Sequence, residues 1–314
     1  MEIYNWLQKY ADDNGIIAGI CDASDFEHAH LLEKKETPFV SKNISKRVSP
    51  SLSLKNSKSI IAIGMKYATN FSKIDSKIGN ISVLGRTEDY HYPLKAILKD
   101  LVEKLKNELD FDFKYKIIVD TGGLDERAIA ARANLGFYGR HGMIISKKFG
   151  SRFYIGSIIT NIPFQNSKNP ESKRSCPPNC SRCIDACPTS ALSFKNACSD
   201  CIHNPNKLGY GYFDSRKCIS YITQKDEIDE KEQKMMGQQL YGCDICQMVC
   251  PFNFKPIDET GLEILPSYIE PEKIIDLDDD QIKSKLEKTT MLWRGNHIIK
   301  RNAMAVKSNI YLDI

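Results

Sequence analysis

The chain has 314 residues, 41% of them hydrophobic and 27% charged, with a formal net charge of +4. That length can bury a proper core and has room for two or more domains, and the composition is that of an ordinary soluble globular protein. No apolar run approaches the ~18 residues of a membrane span. The opening "MEIYNWLQKYADDNG" lacks the basic-then-apolar pattern of a secretion signal, so a cytoplasmic location is expected. Thiols stay reduced there, and the eleven cysteines therefore argue for metal or redox work rather than disulfides.

In chain order, Ile3, Trp6, Leu7, Tyr10 and Ala11 form a helical stripe that closes at Gly15. "IIAGI" and "SIIAIGMKY" are short isoleucine-rich runs that predict buried strands. Leu94, Ile97, Leu98, Leu101, Val102, Leu105 and Leu109 mark a long amphipathic helix. "FKYKIIVD" predicts a strand, "DERAIAARANLG" a helix closing at Gly136, and "GMIIS" and "RFYIGSIIT" two more strands. Around "NIPFQNSKNPESKRS" the composition turns polar and proline-bearing, which predicts a domain boundary. The expected division is an α/β domain over 1–165, a cysteine-rich domain over 166–254, and a third segment over 255–314. That last segment is read as an acidic connector containing "DLDDDQ", followed by a short helix with the stripe Ile298, Ile299 and Ala303.

Ten of the cysteines lie between Cys176 and Cys250; Cys21 stands apart. The first motif is Cys176-x3-Cys180-x2-Cys183-x3-Cys187-Pro188, and the second is Cys243-x2-Cys246-x3-Cys250-Pro251 with Cys218 upstream. A tight turn of three thiolates wraps one corner of a cubane, while the cysteine before proline reaches a neighbouring cluster, as in two-cluster ferredoxins. The spacing assigns Cys176, Cys180, Cys183 and Cys250 to one [4Fe–4S] cluster and Cys187, Cys218, Cys243 and Cys246 to the other. Zinc is the alternative for any CxxC pair, but it leaves the repeated x2–x3–Pro spacing unexplained. With two clusters at about −2 each the formal +4 is cancelled, so any nucleic-acid contact must rest on a local basic patch.

Several stretches together resemble the epoxyqueuosine reductase family: "KRVSP", "DYHYPL", "VDTGGLDERAIAARANLGFYGRHGMII", "GSRFYIGSIITNIPF", "CPTSAL", "RKCISYIT", "YGCDICQMVCPFN" and "WRGNHIIKRNA". They run in order from about Arg47 to Ala303. The resemblance implies an α+β protein with an N-terminal α/β cobalamin-binding domain, a ferredoxin-like domain with two [4Fe–4S] clusters, and a short helical C-terminal segment. It also implies removal of the epoxide oxygen of epoxyqueuosine in a tRNA anticodon stem-loop. An external electron donor and a monomeric, membrane-free protein complete that expectation.

On the same resemblance, Asp120 matches the family's proton donor. It follows an apolar strand and precedes two glycines, a strand end where sites gather, and apolar cofactor surface there would keep it protonated. A turn or cap aspartate is the plain alternative. Arg47, Tyr90, His91, Arg127, Ile144, Ile155, Ser220 and Tyr221 match or flank positions that would meet cobalamin. Surface charge, core packing, or for Arg127 a pairing with Glu126, are the alternatives. Lys147, Lys148, Arg152, Lys173 and Arg174 are the basic residues that could meet RNA phosphates.

Two features depart from the family pattern. Pro177, Pro178 and Asn179 make a three-residue spacer where the family usually has two, and an insertion between Cys187 and Cys218 carries Cys198-x2-Cys201-x-His203. Those three side chains make an incomplete zinc site, a substitute ligand source or an ordinary loop. Two other functions compete: a cobalamin-dependent reductase of another substrate, such as an organohalide, and a ferredoxin-type electron carrier. The roughly 165 residues before the clusters argue against a carrier.

Overall fold

The computed structural model describes residues 3–26, 39, 41–71, 79–120, 123–167, 175–193, 212–259 and 263–312. They form two compact units. The first gathers Met1–Lys66 and His91–Cys180; the second gathers Tyr67–Tyr90, Ser181–Phe194 and Tyr212–Ile314.

The first unit is built on a four-stranded sheet in the order Ile17–Asp22, Ser59–Lys66, Phe153–Thr160, Tyr115–Ile118. Every neighbouring pair is antiparallel, with Ile60 opposite Ile159 and Ile61 opposite Ile158. The central strands read as nearly unbroken apolar runs because both faces are covered. On one face Ile60, Ala62 and Ile159 pack with Ala128, Ile129 and Ala130 of the helix Glu126–Arg132. On the other lies the long helix His91–Leu109, which approaches the sheet over Gly156; a Cβ there would stand 2.8 Å from Leu98 Cδ1. The helix Ile3–Asp13 joins that layer, its Tyr10 hydroxyl donating to Asp100 at 2.8 Å. Ile60, Ile61 and Ile63 are fully buried, each contributing about 1.5–3 kcal/mol of transfer free energy.

The second unit is made of shorter pieces. Its sheet has three short strands, Gln239–Tyr241, Gly79–Ile81 and Tyr268–Ile269, with Gly79–Ile81 in the centre. A core of Ile81, Leu240, Tyr241, Leu265, Ile274, Ile282, Leu286, Met291, Ile299 and Ala303 packs beneath it. The "DLDDDQ" stretch is not a connector. Asp278 caps the helix Asp279–Leu286 in a reciprocal capping box with Gln281, and Asp279 and Asp280 fill the first turn, where they complement the helix dipole.

The C-terminal helix Asn296–Leu312 is tied down by a polar residue at its centre. Asn302 is fully buried, and its amide donates to the carbonyls of Thr223 at 2.7 Å and Leu240 at 2.9 Å. Its own carbonyl accepts from Arg301 at 2.7 Å. Asn302→Ala strips two buried carbonyls of a donor and should cost about 1–3 kcal/mol. Urea unfolding followed by circular dichroism checks this, with Met304→Ala, at a side chain 55% exposed, expected to sit at the wild-type midpoint.

Candidate active site and cluster centre

The edge strand Tyr115–Ile118 runs into buried Val119 and then Asp120. Asp120 is exposed and takes a left-handed backbone, φ 52°, a conformation that aspartate tolerates better than most residues. Its amide donates to the Glu126 carboxylate at 3.0 Å. Glu126 opens the helix Glu126–Arg132, whose N-cap is Asp125, accepting from Ala128 N at 3.2 Å. Asp125 N in turn donates to Arg47 O at 3.0 Å. These bonds gather Arg47, Asp120 and Arg127 around one helix start.

Electrostatics there are tight. Burial holds the half-buried Arg47 guanidinium below the ordinary arginine range, with Asp125 opposing that shift and Arg127 adding to it. Burial pushes the Glu126 carboxyl up to about 8, and the charge of Asp120 adds to this. Arg127 does not bond to Glu126; its guanidinium donates to Gly142 O at 3.0 Å. Ile144 is buried and pairs with Tyr138, and Ile155 is half-buried against the same core. His91 begins the long helix and Tyr90 immediately precedes it. Ser220 and Tyr221 lie in the second unit, on the short helix Ile219–Ile222 that follows Cys218.

The cysteines sit on turns and helix starts. Cys183 lies in Arg182–Asp185, Cys218 caps Ile219–Ile222, Cys246 lies in Ile245–Met248, and Cys250 caps the 3₁₀ turn Pro251–Asn253. Gly242, at φ 67°, brings Cys243 round a turn so close to Ser82 that a Cβ would collide with its hydroxyl. Burial pushes the Cys243 thiol up to about 12, with Asp244, Cys218 and Cys187 adding to it. Cys246 is likewise pushed well up, by burial and then by Cys243, Cys218 and Cys183. Cys187, Cys218, Cys243 and Cys246 lie within one unit, and Cys183, expected in the other set, lies there too. Among the described residues, no three His, Cys, Asp or Glu side chains stand where they could hold a single metal ion.

Residues 47–121 match the family described as epoxyqueuosine reductase QueG, DUF1730, and residues 176–253 match the 4Fe-4S double cluster binding domain. The chain is 35% identical to the epoxyqueuosine reductase of Lactococcus garvieae over 320 residues, 96% of this chain and 86% of the relative. It belongs to the epoxyqueuosine reductase family. A solved epoxyqueuosine reductase bound to a tRNA-Tyr epoxyqueuosine-modified stem loop is 30% identical, with a TM-score of 0.83 over 98% of this chain and 81% of that one. The Bacillus subtilis epoxyqueuosine reductase, solved with its catalytic aspartate loop swung out of the active site, is 29% identical. Its TM-score is 0.82, over 98% of this chain and 82% of that one.

As a member of this oxidoreductase family the chain carries an iron–sulfur domain in the cysteine region. Among the described residues no helix is long and apolar enough to cross a membrane. The expected basic patch needs correction. Arg152 is buried, 3% exposed, just before the strand Phe153–Thr160, where the packed core covers it, so it presents no charge to solvent. Lys148 bonds to Asp12 at 3.5 Å and to Ile16 O at 3.2 Å, while Lys147 is exposed. Lys173, Arg174, Cys198, Cys201 and His203 lie outside the described residues.

Two residues carry no signal in the sequence. Glu126 looks like an ordinary first-turn acid, and only its reach back to Asp120 N marks it. His141 is buried, and burial lowers its pKa to about 4; its Nδ1 accepts from Met143 N at 3.2 Å. For Glu126 the sign of the pH effect is set by its raised value. The native state holds a proton that the unfolded chain releases near pH 4.5, so the contribution to stability is complete below that pH and is lost as pH climbs to about 8. Asp120, Asp125 and Arg127 are the charges facing it. Glu126→Gln cannot ionise, so its melting temperature relative to wild type should rise steadily across that window. Thermal melts at several pH values measure it, and a constant difference would contradict the raised carboxyl.

Proposed function

We propose that this protein is a tRNA epoxyqueuosine reductase, removing the epoxide oxygen of epoxyqueuosine in the anticodon loop to give queuosine. The observation that carries the reading is the pairing of a double-cluster domain with an exposed, backbone-clamped aspartate in a family of epoxyqueuosine reductases. The stem-loop-bound relative supports tRNA as the partner. The overall change converts an epoxide, two electrons and two protons into an alkene and water.

The donor chemistry fits both cofactors. The Cys243 and Cys246 thiols, raised by burial and by neighbouring sulfurs, favour their anionic, ligating form only when cationic metal is present. The repeated x2–x3–Pro spacing and the match to the 4Fe-4S double cluster binding domain support iron–sulfur over zinc. The two ligand sets are those assigned by spacing, Cys176, Cys180, Cys183 and Cys250, and Cys187, Cys218, Cys243 and Cys246. For cobalamin, no described residue hydrogen-bonds the half-buried Arg47 guanidinium, leaving its fork for a corrin amide or phosphate. Arg127, Ile144, Ile155, Tyr90, His91, Ser220 and Tyr221 are the further candidates for holding it. When bound, reduced cobalamin supplies a strong two-electron reductant that the clusters restore one electron at a time.

The chain's own contribution is the proton. Asp120 Oδ would donate to the departing oxygen, while Glu126 holds the Asp120 backbone amide and Arg127 anchors to Gly142. Domain roles follow: a cobalamin-binding region over 1–165, a ferredoxin-like region over 166–254 and a helical tail over 255–314.

Anaerobically reconstituted protein should hold about eight irons per chain, measured as iron and sulfide with paramagnetic resonance of the reduced form. Cys198→Ser with Cys201→Ser should leave that count unchanged; stoichiometric zinc in place of iron would sink the cluster assignment. Asp120→Asn keeps the side chain's shape but cannot deliver an acidic proton. Cobalamin occupancy should stay full while single-turnover conversion of epoxyqueuosine tRNA falls roughly 10²–10⁴-fold. Lost occupancy would make Asp120 structural, and near-normal turnover would remove it from the reaction.

A further inference from the structure

The stretch Cys187-Pro188-Thr189-Ser190 closes as a turn, with Ser190 N donating to Cys187 O at 3.1 Å. Proline presets the first central dihedral, which leaves Thr189 at the second. Before the turn, Cys187 N donates to Ile184 O at 3.2 Å, in the helix Arg182–Asp185. After it, Ser190 takes a left-handed backbone, φ 51°, and the chain enters the core at Ala191 and Leu192. Ala191 O accepts from Asp214 N at 2.8 Å, and Asp214 caps the 3₁₀ turn Ser215–Lys217 that ends at Cys218. The turn is therefore held at both ends within the second unit.

Thr189 reaches back across this turn. Its Oγ1 stands 3.7 Å from Cys187 Sγ, a hydrogen bond to the larger sulfur atom. While Cys187 is a thiol, either atom can donate. Once it is a thiolate ligand, the only proton between them is on the hydroxyl. Metal ligation thus fixes the direction, from Thr189 to sulfur, and makes the bond charge-assisted. A β-branched side chain has few χ1 choices, so little freedom is lost in holding it there. Cys187 is also within electrostatic reach of Cys243, a member of the same ligand set.

A [4Fe–4S]²⁺ cluster on four thiolates carries about −2 and gains one further negative charge on reduction. Hydrogen bonds to the ligating sulfurs stabilise that added charge and so favour the reduced state. We propose that Thr189 is a positioning residue acting through Cys187, its hydroxyl donating to the thiolate and raising the reduction potential of the cluster that Cys187 ligates. This rests on the assignment of Cys187 as a cluster ligand made under the proposed function. The hydroxyl keeps its proton when the electron arrives; only its bond to sulfur strengthens.

Three variants isolate the hydroxyl. Thr189→Val keeps the branched shape without the donor, Thr189→Ser keeps the donor, and Thr189→Ala removes both. The reconstituted full chain is titrated with dithionite while paramagnetic resonance follows both clusters. At the wild-type midpoint, Thr189→Val should hold several-fold less of one cluster in its reduced form, with the other cluster unchanged. Thr189→Ser should titrate as wild type. In deuterated buffer, electron–nuclear double resonance should show one coupled deuteron fewer in Thr189→Val than in wild type or Thr189→Ser. A wild-type titration of Thr189→Val, or equal shifts in both clusters, would overturn the proposal, as would Thr189→Ser behaving like Thr189→Val. If Thr189→Val does not assemble both clusters, Thr189→Ala decides on the same readings. Cys187→Ser forms a separate arm. Two unaltered clusters there would refute the ligand assignment itself, independently of what Thr189 does.

Discussion

Sulfur atoms that must become anions are crowded together in the interior of the second unit, and that constraint organises the unit. Cys187 and Cys218 stand near enough to Cys243, and Cys218 and Cys243 near enough to Cys246, to push the Cys243 and Cys246 thiols up. The elements that carry them are single helical turns, too short to be stable alone. Such pieces are typically stapled by metal rather than by a large apolar core. The core that does exist lies beneath the sheet Gln239–Tyr241, Gly79–Ile81 and Tyr268–Ile269, and it is pinned by the buried amide of Asn302.

The first unit meets a related constraint by different means. Its antiparallel sheet is covered on both faces, which leaves charge to the loops at the strand ends. There Asp120 and Glu126 share one amide hydrogen bond across a helix start. Arg47 is drawn in through its carbonyl bond to Asp125, and Arg140 ties the turn that carries Cys176 and Cys180. A rigid sheet with polar groups clamped by backbone bonds suits chemistry that needs a proton delivered at a fixed place.

Much of this was legible in the residues. The isoleucine-rich strands, the long helix with Leu94, Leu98 and Leu105, and the terminal helix appear where periodicity puts them, because burial on one or both faces leaves a regular apolar pattern. The departures have physical causes. Acid-rich "DLDDDQ" was read as linker, yet acids at a helix N-terminus carry the same composition as a solvated connector. Arg152 looks like surface charge, because nothing local distinguishes a loop arginine that packing later covers. The strand Gly79–Ile81 left no signal, since its partners come from residues 239–241 and 268–269.

Cysteine spacing alone pointed to the iron–sulfur domain, because a cubane imposes its geometry over a few neighbouring residues. Local periodicity likewise determined most helices and strands. Only the tertiary structure decided that Tyr67–Tyr90 joins the cysteine-bearing unit, that Glu126 reaches back to Asp120, and that Arg140 closes the Pro-Pro-Asn turn. Each of those contacts links residues whose proximity depends on how the chain packs. Burial, which sets the charge behaviour of Glu126 and the cysteines, is a property of the packed whole.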